Sequence, residues 1–553
     1  MTHGNPHHYP AGFTIDGKNV GGKFATVAHG ESAGFTEPRY TNVRFDHPWP
    51  EHVKEVARTL NAHGHELMVV GGSVRDAISG QNPHDYDLAS SANPDELKKI
   101  YAGKYNTDVR GESHGTIRIP APDGGQMEIT SYRVDENPNG RHATTKYVRD
   151  FVQDSRRRDT TATSLGVNPL TGEVVGPGEG GDPRGAIADI RNKIVRINSH
   201  HGDNGEQTIR DDKLRAIRAV RFSSAPGWSL APESAQAIRN TVDDVETAYH
   251  LPQEDEGKLS HDRFKDEMIK AFGYKTGGVF PRRLHELKNS NGKSLLDVFH
   301  PELTKLEKQG QNIHHDDNVL EHTLKVVEGV GGKDKHDTTV NRVAALFHDA
   351  GKAPDDYIVN GKRIAHGTAK LTDKVVNGVP YGHSFHGHEE QSGNIADSVL
   401  TKFNYPNTIK DEHGIDRPFK PEILNRIRGH MAIPKEDASD KTWRTWIRKV
   451  EPPNVEGNLS LRASDYNSKQ GANYPAEQVR QRVNKLMQES PPPARLALDG
   501  NDIQRIVGKT AGPWMRGTIE QLKDFVDENP GKNNTQEALT GRLMELKHTI
   551  DKK

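Results

Sequence analysis

At 553 residues the chain is too long for one hydrophobic core, and at roughly 100–200 residues per domain it should hold three to five domains. Hydrophobic residues are 32% and aromatics 6%, gathered in periodic clusters, so small folded domains with long polar connections are expected. The formal net charge of −2 means that a polyanion must be met by local basic patches, and the absence of cysteine excludes disulfides, thiolate metal sites and cysteine nucleophiles, leaving 29 histidines as the nitrogen ligands.

No apolar run reaches the ~18 residues of a membrane helix, and the first thirty residues lack the apolar core of a signal peptide. A soluble, cytoplasmic protein is expected. Residues 1–48, rich in Gly, His and Pro, read as a mostly disordered extension with one short strand pair. From Glu51 a helical period begins (Val53, Val56, Leu60), and the apolar run ELMVVGG that follows suits a buried strand. GTIRIPAPDGGQMEITSYRV reads as two alternating strands around the turn at 122–125. After about residue 205 helical periodicity dominates, broken by polar loops at 273–281, 353–383 and 404–421 and by the linker ESPPPAR. The fold class expected is multidomain and mainly α, with an N-terminal α/β head.

Where the first strand ends, Gly71 and Gly72 open directly into a helix at Ser73, which offers unencumbered amides to an anion. Strand-to-helix turns also use glycines for steric reasons alone. In the following HDYDL, Asp85 and Asp87 are i and i+2, so on a strand both carboxylates share a face, a placement that a divalent cation makes tolerable. Glu128 in MEIT points away from its core-facing neighbours Met127 and Ile129 and is a candidate third acid. Three carboxylates facing a phosphate cradle suit two-metal nucleotidyl transfer. The plainer alternative is an Asx turn at Asp85 and a solvated Glu128. In IRDDKLRAIRAVRF, one helix would set Asp211 and Asp212 three or four residues before Arg215, with Leu214, Ile217 and Val220 on another side. By itself this is a salt-bridged surface helix.

The ordered series GGSVRD, DYDL, EITSYR, RRRDTT and RDDKLRAIRAVRF resembles the bacterial-type CCA-adding tRNA nucleotidyltransferases and their poly(A) polymerase relatives, over about residues 50–310. The resemblance implies that Asp85, Asp87 and Glu128 are the catalytic acids, with Mg2+ on Asp85 and Asp87. Gly71, Gly72 and Arg75 then resemble triphosphate contacts, and Arg158 and Asp159 sugar and phosphate contacts. Asp211, Asp212 and Arg215 resemble the family's templating residues, which read the donor–acceptor order shared by cytosine and adenine. Arg218 and Arg221 resemble the remaining nucleotide-binding arginines. Asn139-Gly140-Arg141-His142-Ala143 resembles the flexible loop that helps switch from C to A addition. The chain departs from the pattern at Thr160 and Thr163, where the family has Phe and Asn, and at Asp211, where it has Glu.

Farther on, HHDDNVLEHTLKVV, VAALFHDAGK, SFHGHEEQS, RIRGHM and LRASDYN spread histidines and acids over separate helices, which suits ligands of one or two metals. This series resembles the HD-domain phosphohydrolases. By order, His322, His348, Asp349 and Asp465 match the four basic ligands, and His388 and His430 the extra histidines of two-metal members, with His386 competing for the place of His388. The resemblance implies a divalent transition metal, a metal-activated water and a 2′,3′-cyclic phosphate at an RNA end as substrate. The last segment resembles the tail that follows the HD domain in the same enzymes, and Gly512-Pro513 before a helix offers close approach to an RNA backbone.

These readings divide the chain into an extension (1–48), a head (49–163), a neck and body (164–311), an HD-like domain (312–475) and a tRNA-binding tail (476–553). They imply addition of CMP and AMP from CTP and ATP to tRNA, with neither DNA nor a membrane as partner. The rivals are a poly(A) polymerase, or an enzyme adding only CC or only A, and an HD phosphohydrolase whose decayed head serves as an RNA-binding module.

Overall fold

The computed structural model describes residues 7–8, 13–15, 18–19, 24–25, 43–83, 86–102, 115–120, 126–139, 142–199, 202–252, 255, 257–311, 317–376, 379–469, 471–489 and 495–551. The chain divides into two compact units, Met1–Phe299 and His300–Lys553.

In the first unit, strand β1 (Val43–Phe45) leads into helix α1 (Glu51–Ala62), whose Val53, Val56, Ala57 and Leu60 recur at helical spacing and are buried. The expected run ELMVV becomes β2 (Leu67–Val70), buried on both faces, and Gly71 turns it into α2 (Gly72–Ile78). Next come β3 (Asp87–Ser90) and α3 (Pro94–Tyr101), which starts at a capping box of Asn93 and Glu96 with proline at its first turn. The expected hairpin is β4 (Thr116–Pro120) and β5 (Gln126–Ser131). A second hairpin, β6 (Arg133–Asn139) with β7 (His142–Tyr147), leads to α4 (Phe151–Arg156).

The central sheet has six strands and runs past the expected head boundary at 163. Two two-residue strands, β8 (Gly166–Val167) and β9 (Val174–Val175), complete the order β9-β8-β2-β3-β5-β4. Only β3 and β5 pair in parallel; the other neighbours are antiparallel. The start also moves, because Val43 and Phe45 lie in the same apolar core as Leu67, Leu88 and Ile129. Ahead of residue 48 there is more pairing than the one expected: Phe13–Ile15 pairs with Lys18–Asn19 and with β1, and His7–His8 with Phe24–Ala25.

The stretch expected as one helix through Asp211, Asp212 and Arg215 is two, α5 (Glu206–Asp211) and α6 (Leu214–Ser223). Asp212 breaks it with extended angles of φ −142° and ψ 107°. Its carboxylate accepts from the Leu214 amide at 3.1 Å, a local competition with helical bonding that favours aspartate at such breaks. Helix α7 (His261–Phe272) packs on α6. The first unit closes where Phe264 and Phe299 stack, centroids 3.9 Å apart, so residues 300–311 join the second unit rather than the body.

The second unit is helical: α8 (Val319–Gly329), α9 (Lys335–Phe347), α10 (His388–Lys402), α11 (Lys420–Gly429), α12 (Asp440–Val450), α13 (Val455–Asn467) and α14 (Ala476–Glu489). The polar stretches expected as loops carry hairpins, Tyr357–Val359 with Lys362–Ala365, Lys370–Val376 with Val379–Ser384, and Thr408–Lys410 with Asp416–Pro418. The first turns on Asn360-Gly361, both at positive φ, a hairpin signal present in the sequence. Helix α14 shares a core with Trp443, Trp446 and Leu459, so the expected tail boundary at 476 moves to the proline run. Beyond it, α15 (Gly500–Val507), α16 (Trp514–Glu528) and α17 (Gln536–Asp551) enclose a separate core of Leu498, Ile503, Leu522, Val526 and Leu543.

Candidate functional site

Gly71 is required twice over. It leaves β2 at φ +69°, and a Cβ there would lie 3.0 Å from Asp87 Oδ2. The absent side chain thus lets the turn close on the Asp87 carboxylate. Asp87 opens β3 directly opposite Glu128 in the parallel register, so the two acids share a face of neighbouring strands. Arg118 stands opposite Glu128 on the antiparallel strand and places Nε and Nη2 each 2.7 Å from Glu128 Oε1. Arg75, one turn into α2, pairs with Asp76 at 2.7 Å. Asp85 lies outside the described residues, as do Gly140 and Arg141 of the expected flexible loop.

A chain of ion pairs extends from the sheet into the helices. Asp154, which sequence reading did not single out, is almost fully buried and receives Arg157 Nη2 at 2.7 Å, Arg158 Nη2 at 2.8 Å and the Arg133 amide at 3.2 Å. Burial opposes its charge, but the two guanidiniums outweigh it and hold the carboxyl below its ordinary value of 3.8. Arg158 therefore turns to Asp154. Asp159 accepts from Arg215 Nε at 3.1 Å and Arg218 Nη1 at 2.8 Å, and these arginines, against the cost of burial, lower its pKa as well. Arg215 also donates to the Thr208 and Arg157 carbonyls at 3.0 and 2.9 Å.

The expected Asp212–Arg215 contact is not made. Because the helix breaks at Asp212, its carboxylate turns to Arg263, at 2.6 and 3.1 Å. Asp211 accepts from Gln207 at 2.8 Å. Arg221, expected among the nucleotide contacts, is instead buried against Glu267 and Tyr274, the arrangement of a residue that ties α6 to α7. Asp211 and Arg215 meet Arg156, Arg157, Asp135 and Gln153 around a cavity of about 220 Å3. Thr160 and Thr163, the two departures, hydrogen-bond to each other through their hydroxyls at 2.9 Å.

In the second unit, six of the residues singled out from sequence converge in two groups, His322, His348 and Asp465, and Asp349, His388 and His430. His388, not His386, joins the cluster. Asp349 joins the groups: its Oδ2 lies 3.4 Å from His322 Nε2 and 3.3 Å from His348 Nε2, and its Oδ1 lies 3.2 Å from His388 Nε2 and 3.9 Å from His430 Nε2. Asp465 Oδ1 is 3.2 Å from His322 Nε2. All six residues are buried.

Each imidazole is oriented from behind. The Nδ1 atoms of His348, His388 and His430 meet the carbonyls of Ala345, Phe385 and Ile427, each three residues back, at 2.7, 2.8 and 2.6 Å. His322 Nδ1 meets Ser468 Oγ at 2.9 Å, and that hydroxyl donates to the Asp465 carbonyl at 2.7 Å, so the ring nitrogen carries the proton. All four Nε2 atoms are thereby aimed inward, the arrangement in which histidines ligate metal. His348 Nε2 is buried without a hydrogen bond. Burial, with His348 and His388 alongside, pushes His430 down to about 3, so it stays neutral. Four imidazoles and two carboxylates would suit one or two divalent transition metals, and the Asp349 oxygens face both groups. Lys352, which the sequence reading passed over three residues after Asp349, approaches its Oδ2 at 2.7 Å.

The sheet thus brings a glycine turn and two facing acids to one end of the head. Residues 67–196 match the family model of the poly A polymerase head domain. The chain is 31% identical to the CCA-adding enzyme of Staphylococcus aureus (strain MRSA252) over 197 residues, 35% of this chain and 46% of that protein. It is 33% identical to the human mitochondrial CCA tRNA nucleotidyltransferase 1 over 200 residues, 35% and 43% of the two chains. The aligned part spans about half the length of these relatives. Among solved structures, the Bacillus stearothermophilus CCA-adding enzyme in complex with CTP superposes with a TM-score of 0.61 at 21% identity, over 92% of this chain and 100% of that one. The Thermotoga maritima CCA-adding enzyme complexed with tRNA gives 0.51 at 13% identity, over 89% and 94%. At these identities the likeness establishes the fold.

Two outcomes follow from the geometry. Since Asp154 has its folded pKa below 3.8, its contribution to stability is present above that value and lost as pH falls through the folded pKa. The stability gap between wild type and Asp154→Asn, from urea denaturation, should hold constant from neutrality to about pH 5 and shrink below about pH 4; a gap that persists unchanged to about pH 3 contradicts the assignment. For the second centre, metal analysis should find a divalent transition metal in wild type and in Asp87→Ala, and its loss in His348→Ala or Asp349→Ala. Equal metal content in all four proteins would mean that the cluster is not a metal centre.

Proposed function

We propose that the chain is a CCA-adding tRNA nucleotidyltransferase that transfers CMP and then AMP from CTP and ATP to the 3′ end of tRNA, and that its second centre is a metal-dependent phosphohydrolase. The observation that carries the first reading is the pairing of Asp87 with Glu128 across a parallel register beside Gly71, two carboxylates on one face that suit divalent cations. Mg2+ held by Asp85 and Asp87, with Glu128 as third acid, would activate the 3′ hydroxyl and neutralise the departing pyrophosphate. Gly71, Gly72 and Arg75 receive the triphosphate, and Arg158 and Asp159 the sugar and phosphates. Sequence similarity to CCA-adding enzymes supports the assignment.

Base choice falls to Asp211, Asp212 and Arg215, flanked by Arg218. Of the five N–H donors of a guanidinium, Arg215 spends three on Asp159, Thr208 and Arg157, which leaves two on a group already locked in place. Such a donor pair, with an Asp acceptor beside it, suits the ring-nitrogen acceptor and exocyclic amine that cytosine and adenine share. Uracil and guanine present a carbonyl there and meet repulsion. Arg221, spent on Glu267, contributes by holding α6 in place.

The second centre has the donor set to hold divalent metal, which would activate water toward a phosphoester, such as a 2′,3′-cyclic phosphate at an RNA end. Asp349, touching both ligand groups, is its pivot.

The test is nucleotide choice. Arg215→Ala should lose roughly 1–3 kcal/mol of discrimination, about 5- to 150-fold in relative kcat/KM for CTP over UTP, while Asp87→Ala abolishes addition and keeps tRNA binding within a few-fold. His348→Ala should leave addition intact. An unchanged CTP:UTP ratio in folded, active Arg215→Ala protein would remove base reading from these residues.

A further inference from the structure

The histidine–aspartate centre carries three cations besides its ligand set. Lys352 Nζ is 2.7 Å from Asp349 Oδ2, and Arg462 Nη1 is 3.1 Å from Asp465 Oδ2, so each carboxylate already has one basic counterion. The third cation is Lys469. Its ammonium lies 5.5 Å over the Tyr466 ring, half-buried, and among the described residues no carboxylate forms an ion pair with it. Arg462, Asp465, Tyr466 and Lys469 stand at i, i+3, i+4 and i+7 along α13 and the turn after it, which puts them on one face. Tyr466, 37% exposed, carries Arg462 as well, 5.8 Å from its centroid. One aromatic ring therefore positions two cations at the rim of the buried ligand set.

The charge count decides what this rim is for. Divalent metal on Asp349 and Asp465 takes both carboxylates, and Lys352 and Arg462 are then without counterions. One scissile phosphate supplies a single anionic group at the metal, which leaves Lys469 facing solvent with nothing to neutralise it. Four residues of helical chain separate Asp465 from Lys469, a rise of ~6 Å, a span that one nucleotide unit bridges.

We infer that this centre acts on the end of an oligonucleotide rather than on a free mononucleotide, with the scissile phosphate at the metal ligands and the next phosphate along the strand on Lys469, supported by Arg462. The inference rests on the phosphohydrolase reading and adds a second phosphate site, at Lys469, to it. Lysine suits the role because a backbone phosphate needs a point charge and no base-specific geometry. In the hydrolysis, water's oxygen bonds to phosphorus, one ring P–O bond breaks, and the water proton ends on the released ribose hydroxyl.

The experiment compares hydrolysis of 2′,3′-cyclic AMP with that of a dinucleotide ending in the same cyclic phosphate, using metal-loaded full-length protein as wild type, Lys469→Ala and Lys469→Arg. Wild type should favour the dinucleotide by about tenfold or more in kcat/KM. Lys469→Ala should raise KM for the dinucleotide about 5- to 10-fold, keep kcat within about twofold, and leave the mononucleotide and the metal content unchanged. Lys469→Arg should restore KM, and the slope of log KM against log salt should fall by about 0.7 in the alanine variant. Equal effects on both substrates, or none on either, overturn the second phosphate site. If wild type hydrolyses neither substrate nor bis(p-nitrophenyl) phosphate, the hydrolytic reading itself fails; equilibrium binding of a dinucleotide 3′-phosphate then decides the anion site, and an equal Kd for wild type and Lys469→Ala overturns it.

Discussion

The parallel pairing of β3 with β5 is the constraint on which the head depends. It sets Asp87 opposite Glu128 and, in the same register, Leu88 opposite Ile129. Leu88 and Ile129 are buried in the same core, so a slip of β3 by one residue would turn Leu88 away from that core and part Asp87 from Glu128. The apolar core thus holds the carboxylates together against their repulsion. Everything else at that end answers to this pairing. Gly71 has no Cβ because Asp87 occupies the space, and Arg118 arrives on the neighbouring strand to share the charge of Glu128.

The second unit solves a related problem by other means. Asp349 is withdrawn from water, and burial would raise its pKa, but His348 and Lys352 beside it hold the carboxyl well below the ordinary range. The geometry is repeated at three of the clustered histidines, His348, His388 and His430: each bonds the carbonyl three residues back and points Nε2 inward. A fourth histidine, His322 on α8, is held instead by Ser468, and α13 contributes Asp465. The cluster draws on five helices or their ends, α8, α9, α10, α11 and α13, and the hairpins at 357–384 and 408–418 fall between them in sequence.

Much of this was legible in the sequence because the signals were local. A glycine pair after an apolar run, the alternation in MEIT, and histidines spaced along amphipathic helices each follow from the period of one element. What escaped depended on distant partners or on very short elements. Strands of two residues such as Gly166–Val167 have no period to read, and their place in the sheet comes from pairing with β2, about a hundred residues earlier. Asp212 has helix-forming neighbours, yet its side chain bonds the Leu214 amide and Arg263, and those bonds break the helix. Asp154 could have been found from its i+3 and i+4 arginines in DSRRR; its burial could not. The Asn360-Gly361 turn was visible and was hidden only by the polarity of the strands around it.

The head and the second centre fall in separate compact units, and the proposal for the first of them is that its acids, with Arg215, build a defined trinucleotide end. The direct measurement is to incubate the protein with Mg2+, CTP and ATP and a tRNA whose transcript stops before its CCA, and to sequence the products. The account predicts extension by C, C and A followed by arrest, with UTP and GTP excluded. A homopolymeric A tail, or no extension of a tRNA that the protein demonstrably binds, would contradict it.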